Sequence, residues 1–122
     1  MQIKESAENY LETILVLSKK LGAVRSIDVA NEMGFTKASI SIAMKRLREN
    51  EYIVVSQDGN ISLTTAGEEI AKKVYERHQI IAKILISLGV NEKTAYEDSC
   101  RIEHDLSQES FEKIKEFYEK GI

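Results

Sequence analysis

At Tyr52 the spacing of the apolar residues changes. Before it they recur at three and four positions, as in Ile40, Met44 and Leu47, the stripe of an amphipathic helix. Two β-branched runs then follow, YIVVS and NISLT, parted by Gln57-Asp58-Gly59, an Asp-Gly hairpin signal. A chain that sets one short hairpin behind three helical segments and then returns to helical spacing has few architectures open to it.

The flanking segments carry their own boundaries. ENYLETILVLSKKL reads as a helix capped by Ser6, with Tyr10, Ile14, Leu17 and Leu21 on one face and Gly22 as its stop. Ser26 opens a short helix, IDVANEM, closed by Gly34, and Thr36 caps a third, KASISIAMKRLREN. After the hairpin a long helix is expected from about Ala66 to Leu88, with Ile70, Val74, Ile81, Leu85 and Leu88 along it. Asn91 caps EKTAYEDSCRIEHDL, and Ser107 caps a last helix with an apolar face of Phe111, Ile114 and Phe117/Tyr118. The expected fold is mainly α: a winged helix-turn-helix domain over residues 1–70, then an all-helical domain over residues 71–122.

Helix, short helix, tight turn, helix and hairpin is the order of a groove reader. The short helix braces the one after Thr36 so that its N-terminal end can enter a major groove. Net charge is −3, which alone argues against nucleic acid, but the charges are not spread evenly. Residues 19–48 hold seven basic against two acidic side chains, a local +5, whereas residues 91–122 hold nine acidic against five basic, or −4. Thr36, Lys37, Ser39 and Ser41 are the small or basic groups placed to reach bases or phosphates. Lys45, Arg46 and Arg48, with Arg25 in the same basic segment, are expected at the phosphate backbone. The wing tip is Gln57 to Asn60.

Other classes are narrowed by composition. No apolar run approaches the roughly 18 residues of a membrane span, and MQIKESAENY lacks a leader's apolar region. A single cysteine excludes an internal disulfide framework and fits a reducing cytoplasm.

That cysteine lies in SCRIEHDLS. Cys100, Glu103 and His104 stand at i, i+3 and i+4, so on a helix they share one face and offer a transition metal soft and hard donors. The alternative is a small cysteine beside a salt-bridged glutamate and a helix-end histidine. His78, in the polar run from Tyr75 to Gln79, and the Glu8, Asn9 and Glu12 oxygens of the first helix are further candidate donors.

ENYLETI, DVANEMGFTKASIS, LTTAGEEIA, RHQII and CRIEH together resemble the diphtheria toxin repressor family, particularly its short branch of manganese transport regulators. The resemblance covers essentially the whole chain. It implies a homodimeric, metal-activated repressor of metal-uptake genes, not an enzyme, acting on a palindromic double-stranded operator. It assigns the metal to Asn9, Glu12, His78, Cys100, Glu103 and His104. Manganese-type members carry acids at the positions of Asn9 and Cys100; iron-type members share the cysteine. The ancillary carboxylate and second histidine of iron-type members fall here at Ala82 and Tyr96. Ligand softness then predicts Fe(II) ahead of Mn(II).

The dimer interface is expected on the two C-terminal helices, with Leu85, Leu88, Ile114 and Phe117 contributing. Longer members carry an SH3-like domain, which a chain ending at Ile122 is expected to lack. Two competing readings use the same residues: a thiol-based redox regulator with Cys100 as sensor, and a small metalloenzyme.

Overall fold

The computed structural model describes residues 5–121, so residues 1–4, on which part of the leader reading rests, lie outside the described residues. Two units are distinct, Met1–Lys73 and Val74–Ile122, with α4 running through the boundary.

In the first unit α1 (Glu5–Leu21), α2 (Ser26–Met33) and α3 (Lys37–Glu49) precede β1 (Ile53–Val55) and β2 (Ile61–Leu63). Ser6 lies within α1 instead of capping it. Leu11, Ile14, Leu15 and Leu17 are buried, while Leu21 at the helix end is exposed. An apolar period marks a face but not how far along the helix that face stays covered.

Arg25, not Ser26, occupies the N-cap of α2, and its backbone N–H donates to the Asp28 carboxylate at 2.9 Å. Gly34 ends α2 in the left-handed region (φ 70°), where a side chain is disfavoured, and its N–H bonds the Ala30 carbonyl. Thr36 caps α3 as expected: its Oγ1 accepts from the Ser39 N–H at 3.1 Å. Ile40, Met44 and Leu47 are the buried stripe of that helix.

The strands pair antiparallel, with Ile53 opposite Leu63 and Val55 opposite Ile61, and Val24 bridges to Ile61. The Gly59 N–H closes the turn onto the Ser56 carbonyl at 2.9 Å. Behind the hairpin, Thr64 locks the start of α4 (Thr65–Ser87). Its backbone N–H donates to the Tyr52 carbonyl at 3.0 Å. Its hydroxyl donates to the Glu51 carbonyl at 2.7 Å and accepts from the Gly67 N–H at 3.1 Å. Helix start and hairpin base approach so closely here that a Cβ on Gly67 would lie 2.0 Å from the Tyr52 carbonyl oxygen. That contact is the physical reason for the glycine in LTTAG.

The second unit contains the rest of α4, then α5 (Glu92–Ile102) and α6 (Gln108–Glu119). Asn91 caps α5 through its side-chain oxygen, and Ser107 caps α6 by accepting from the Ser110 N–H at 3.1 Å. Val74, Ile81, Ala82, Ala95 and Phe111 are buried. Leu88, in the turn just past α4 and one residue beyond the helix end, is 75% exposed, and Phe117 on α6 is 62% exposed. Among the described residues no helix is long and apolar enough to cross a membrane.

Candidate metal centre and DNA-binding surface

α5 stops at Ile102, short of the Leu106 expected from sequence, so Cys100, Glu103 and His104 do not all lie on a helix. Cys100 sits in the last turn. Glu103 is the C-cap and keeps helical dihedrals (φ −58°, ψ −30°), which preserves its i+3 relation to Cys100, and His104 follows in a turn. The three side chains still converge. Cys100 Sγ, a Glu103 carboxylate oxygen and a His104 ring nitrogen all lie within 4.8 Å of one another. Ligands around one transition metal stand about 3–4 Å apart, since each metal–ligand bond is about 2.0–2.3 Å, so small side-chain rotations suffice to bind an ion.

Glu103 is the electrostatic centre of this cluster. It is 1% exposed, and its Oε1 lies 3.4 Å from His104 Nε2. Burying a carboxylate is costly unless positive charge or donors compensate it, and a divalent cation supplies that compensation. A His78 ring nitrogen lies within 4.8 Å of a Glu103 carboxylate oxygen. His78 Nε2 is 3.0 Å from the Tyr96 carbonyl. A carbonyl only accepts, so in this contact Nε2–H donates, a hydrogen bond of the kind that orients metal-binding histidines. The Tyr96 ring packs edge-on against the imidazole, centroids 5.7 Å apart, and the Ser99 hydroxyl donates to the His78 carbonyl. Tyr96 thus orients His78 from a position where iron-type relatives are expected to carry a ligand, and Ala82, at the other such position, is fully buried.

The remaining two candidates lie on α1. Asn9 and Glu12 are one helical turn apart, and Glu12 is 9% exposed.

In the first unit, Lys37, Ser41, Lys45 and Arg48 follow helical spacing along α3, all exposed, with Ser39 and Arg46 exposed beside them. The first turn of α3 carries no acidic residue of its own, and Lys37 opens it. Thr36 and Ser39 are not free probes: the Thr36 hydroxyl donates to Ser39 Oγ at 3.0 Å while it caps the helix. Arg25 is exposed and lies against the hairpin, its Nη2 3.3 Å from where a Gly59 Cβ would stand. Asn60 is half-buried, and its backbone N–H donates to Ser56 Oγ at 3.1 Å.

Sequence reasoning missed Arg77. Its Nη1 donates to the carbonyls of Glu103 (3.1 Å) and Leu106 (3.0 Å), its Nη2 donates to Gln108 Oε1 (2.7 Å), and the guanidinium lies 5.1 Å from the Phe111 ring centroid. The available signal was its place beside His78 in a polar run. Nothing in the sequence says that its partners would be backbone carbonyls.

A winged helix-turn-helix unit and a helical unit with a thiol, carboxylate and imidazole cluster define a metal-responsive DNA-binding regulator. The chain belongs to the iron-dependent repressor family: residues 2–61 match its N-terminal DNA-binding domain and residues 64–120 its metal-binding and dimerisation domain. DNA and a second copy of the chain are accordingly its partners.

An uncharacterized HTH-type transcriptional regulator of Methanocaldococcus jannaschii is 33% identical over 120 residues, 97% of this chain and 96% of the relative. The HTH-type transcriptional regulator MntR of Geobacillus thermodenitrificans is 31% identical over 109 residues, 89% of this chain and 77% of the relative. Among solved structures, the manganese regulator SloR has a similar fold, with a TM-score of 0.81 at 22% identity. The match covers 98% of this chain but 55% of that one, so the chain spans about half its length.

Proposed function

We propose that the protein is a metal-activated repressor of metal-uptake genes, binding a palindromic operator as a homodimer and acting by binding, not catalysis. The observation that carries this reading is the convergence of Cys100, Glu103 and His104, with His78 beside Glu103, in a chain whose other unit is a DNA reader. Cys100, Glu103, His104 and His78 would hold the ion, and the family resemblance adds Asn9 and Glu12 of α1. When bound, the ion supplies a doubly positive centre that neutralises the buried carboxylate.

The protein's own residues do the rest. Lys37, Lys45, Arg46, Arg48 and Arg25 contact phosphates, Thr36, Ser39 and Ser41 present α3 to the bases, and Asn60 shapes the wing. Leu88 and Phe117, exposed in the single chain, are assigned to the dimer interface together with Leu85 and Ile114. We take residues 1–70 as the DNA-binding domain and 71–122 as the metal-binding and dimerisation domain, and place the protein in the cytoplasm, where its operator is.

The Cys100 thiolate favours Fe(II) over the harder Mn(II). This preference rests on the Cys100 thiolate and on Asn9, which lacks the charge an acid would give a hard ion, and it runs against the manganese regulator among the structural neighbours. The thiol-switch reading has no support beyond the cysteine itself, the only one in the chain.

The test is anaerobic fluorescence anisotropy of labelled duplex from upstream of metal-uptake genes, across chelator, Fe(II), Co(II), Zn(II) and Mn(II). Metal should tighten binding, and Cys100→Glu should move the preference toward Mn(II). DNA affinity indifferent to every metal and to chelator would refute the regulator reading. An unshifted metal order in Cys100→Glu would remove Cys100 as the discriminating ligand.

A further inference from the structure

The end of α5 raises a question of hydrogen bonding. A helix terminus leaves carbonyls without intrahelical donors, and buried ones need partners from elsewhere. Here a guanidinium from α4 donates to two carbonyls at and just past that end. Arg77 Nη1 reaches the carbonyls of Glu103 and Leu106, which bracket the turn containing His104. Nη2 holds Gln108 at the start of α6, and the guanidinium lies by the ring of Phe111, a fully buried residue of that helix. The neighbour of Arg77 on α4 is His78.

We infer that Arg77 is a positioning residue for the metal centre: it stops α5 and fixes the Glu103–His104 turn in the geometry in which both side chains meet Cys100. The inference rests on the metal reading above. The planar fork matters, because two nitrogens fixed relative to each other serve a carbonyl pair and a side-chain amide at once. A lysine has the charge but a single donor nitrogen. Arg77 also joins the ligand turn to the head of α6, the helix that carries exposed Phe117.

The test is titration of the full chain with Co(II) alone, anaerobically, following the thiolate–Co(II) and ligand-field absorption bands. The unsubstituted chain is compared with Arg77→Met and Arg77→Lys, at a temperature where circular dichroism shows each apo protein folded. Arg77→Met should weaken Co(II) binding by roughly 10–100-fold, the range seen when groups that orient metal ligands are removed, and shift the bands. Arg77→Lys should recover part of the loss. A merely structural role would lower the apo melting temperature but leave the Kd and bands of the folded protein unchanged, and that result would overturn the inference. If Arg77→Met does not fold, Arg77→Lys decides: weaker binding supports the role and an unchanged Kd refutes it. Absence of Co(II) binding by the unsubstituted chain would instead overturn the metal reading, and the positioning role with it.

Discussion

Gly67→Ala should destabilise the protein by about 2–4 kcal/mol, although it replaces a helical glycine by the best helix former. In open surroundings the exchange stabilises by about 0.4–1 kcal/mol. Gly67 is not in open surroundings: an added Cβ would lie 2.0 Å from the Tyr52 oxygen and 3.0 Å from the Tyr52 carbonyl carbon. Carbon–oxygen contacts settle at about 3.3–3.6 Å, so two backbone segments must separate by more than about 1 Å. Neither side is a flexible side chain that can swing away.

Separation also strains what is tied to both segments. The Tyr52 carbonyl accepts from the Thr64 N–H, and Thr64 Oγ1 links Glu51 to Gly67. Overpacking costs about 1–3 kcal/mol. A lost hydrogen bond and a lost cap cost about 1 kcal/mol each, and the helix-propensity gain of about 1 kcal/mol offsets one of them. Urea unfolding of the apo protein, followed by circular dichroism, measures the difference. Stability unchanged or raised would show that the hairpin base and α4 do not meet as described.

Two further outcomes follow from single contacts. Glu51, after α3, holds a positive φ of 63° that glycine adopts without penalty, so Glu51→Gly should raise the urea midpoint by an amount worth about 1 kcal/mol; a lowered midpoint would refute it. Lys115 donates to Glu76 at 3.2 Å, and that hydrogen bond and charge hold its pKa above the ordinary 10.5. A raised lysine pKa contributes stability that is complete below the unfolded value and lost as pH rises through the folded one. The stability difference between the parent and Lys115→Met should therefore be level at neutral pH, shrink only in strong alkali, and fall with added salt because the pair is exposed; a difference that grew with pH would contradict the assignment.

What was legible in the sequence was local. Thr36, Asn91 and Ser107 cap their helices because a side-chain oxygen and the next turn's N–H groups suffice, and these sit within three residues. The hairpin was legible for the same reason. The end of α5 was not, because Arg77 from another helix holds the carbonyls of Glu103 and Leu106 just beyond it. Gly67 stood in plain view as part of LTTAG, but its cause, the Tyr52 carbonyl, is a tertiary contact. Periodicity put Leu21 on α1 but said nothing about its exposure, and it carried the long helix one residue too far, to Leu88. The cluster survived the misplaced helix end because Glu103 retains helical dihedrals, so the spacing from Cys100 carried the geometry one residue past the helix.

The central claim is that metal occupancy and DNA affinity are coupled, and coupling of this kind is reciprocal. The direct measurement is the Mn(II) Kd of the protein, from the electron paramagnetic resonance signal of free Mn(II), with and without saturating operator duplex. The account predicts tighter Mn(II) binding on DNA, by roughly 5–150-fold and by the same factor with which Mn(II) tightens DNA binding. Equal Mn(II) affinity in the two conditions, with the duplex demonstrably bound, would contradict it.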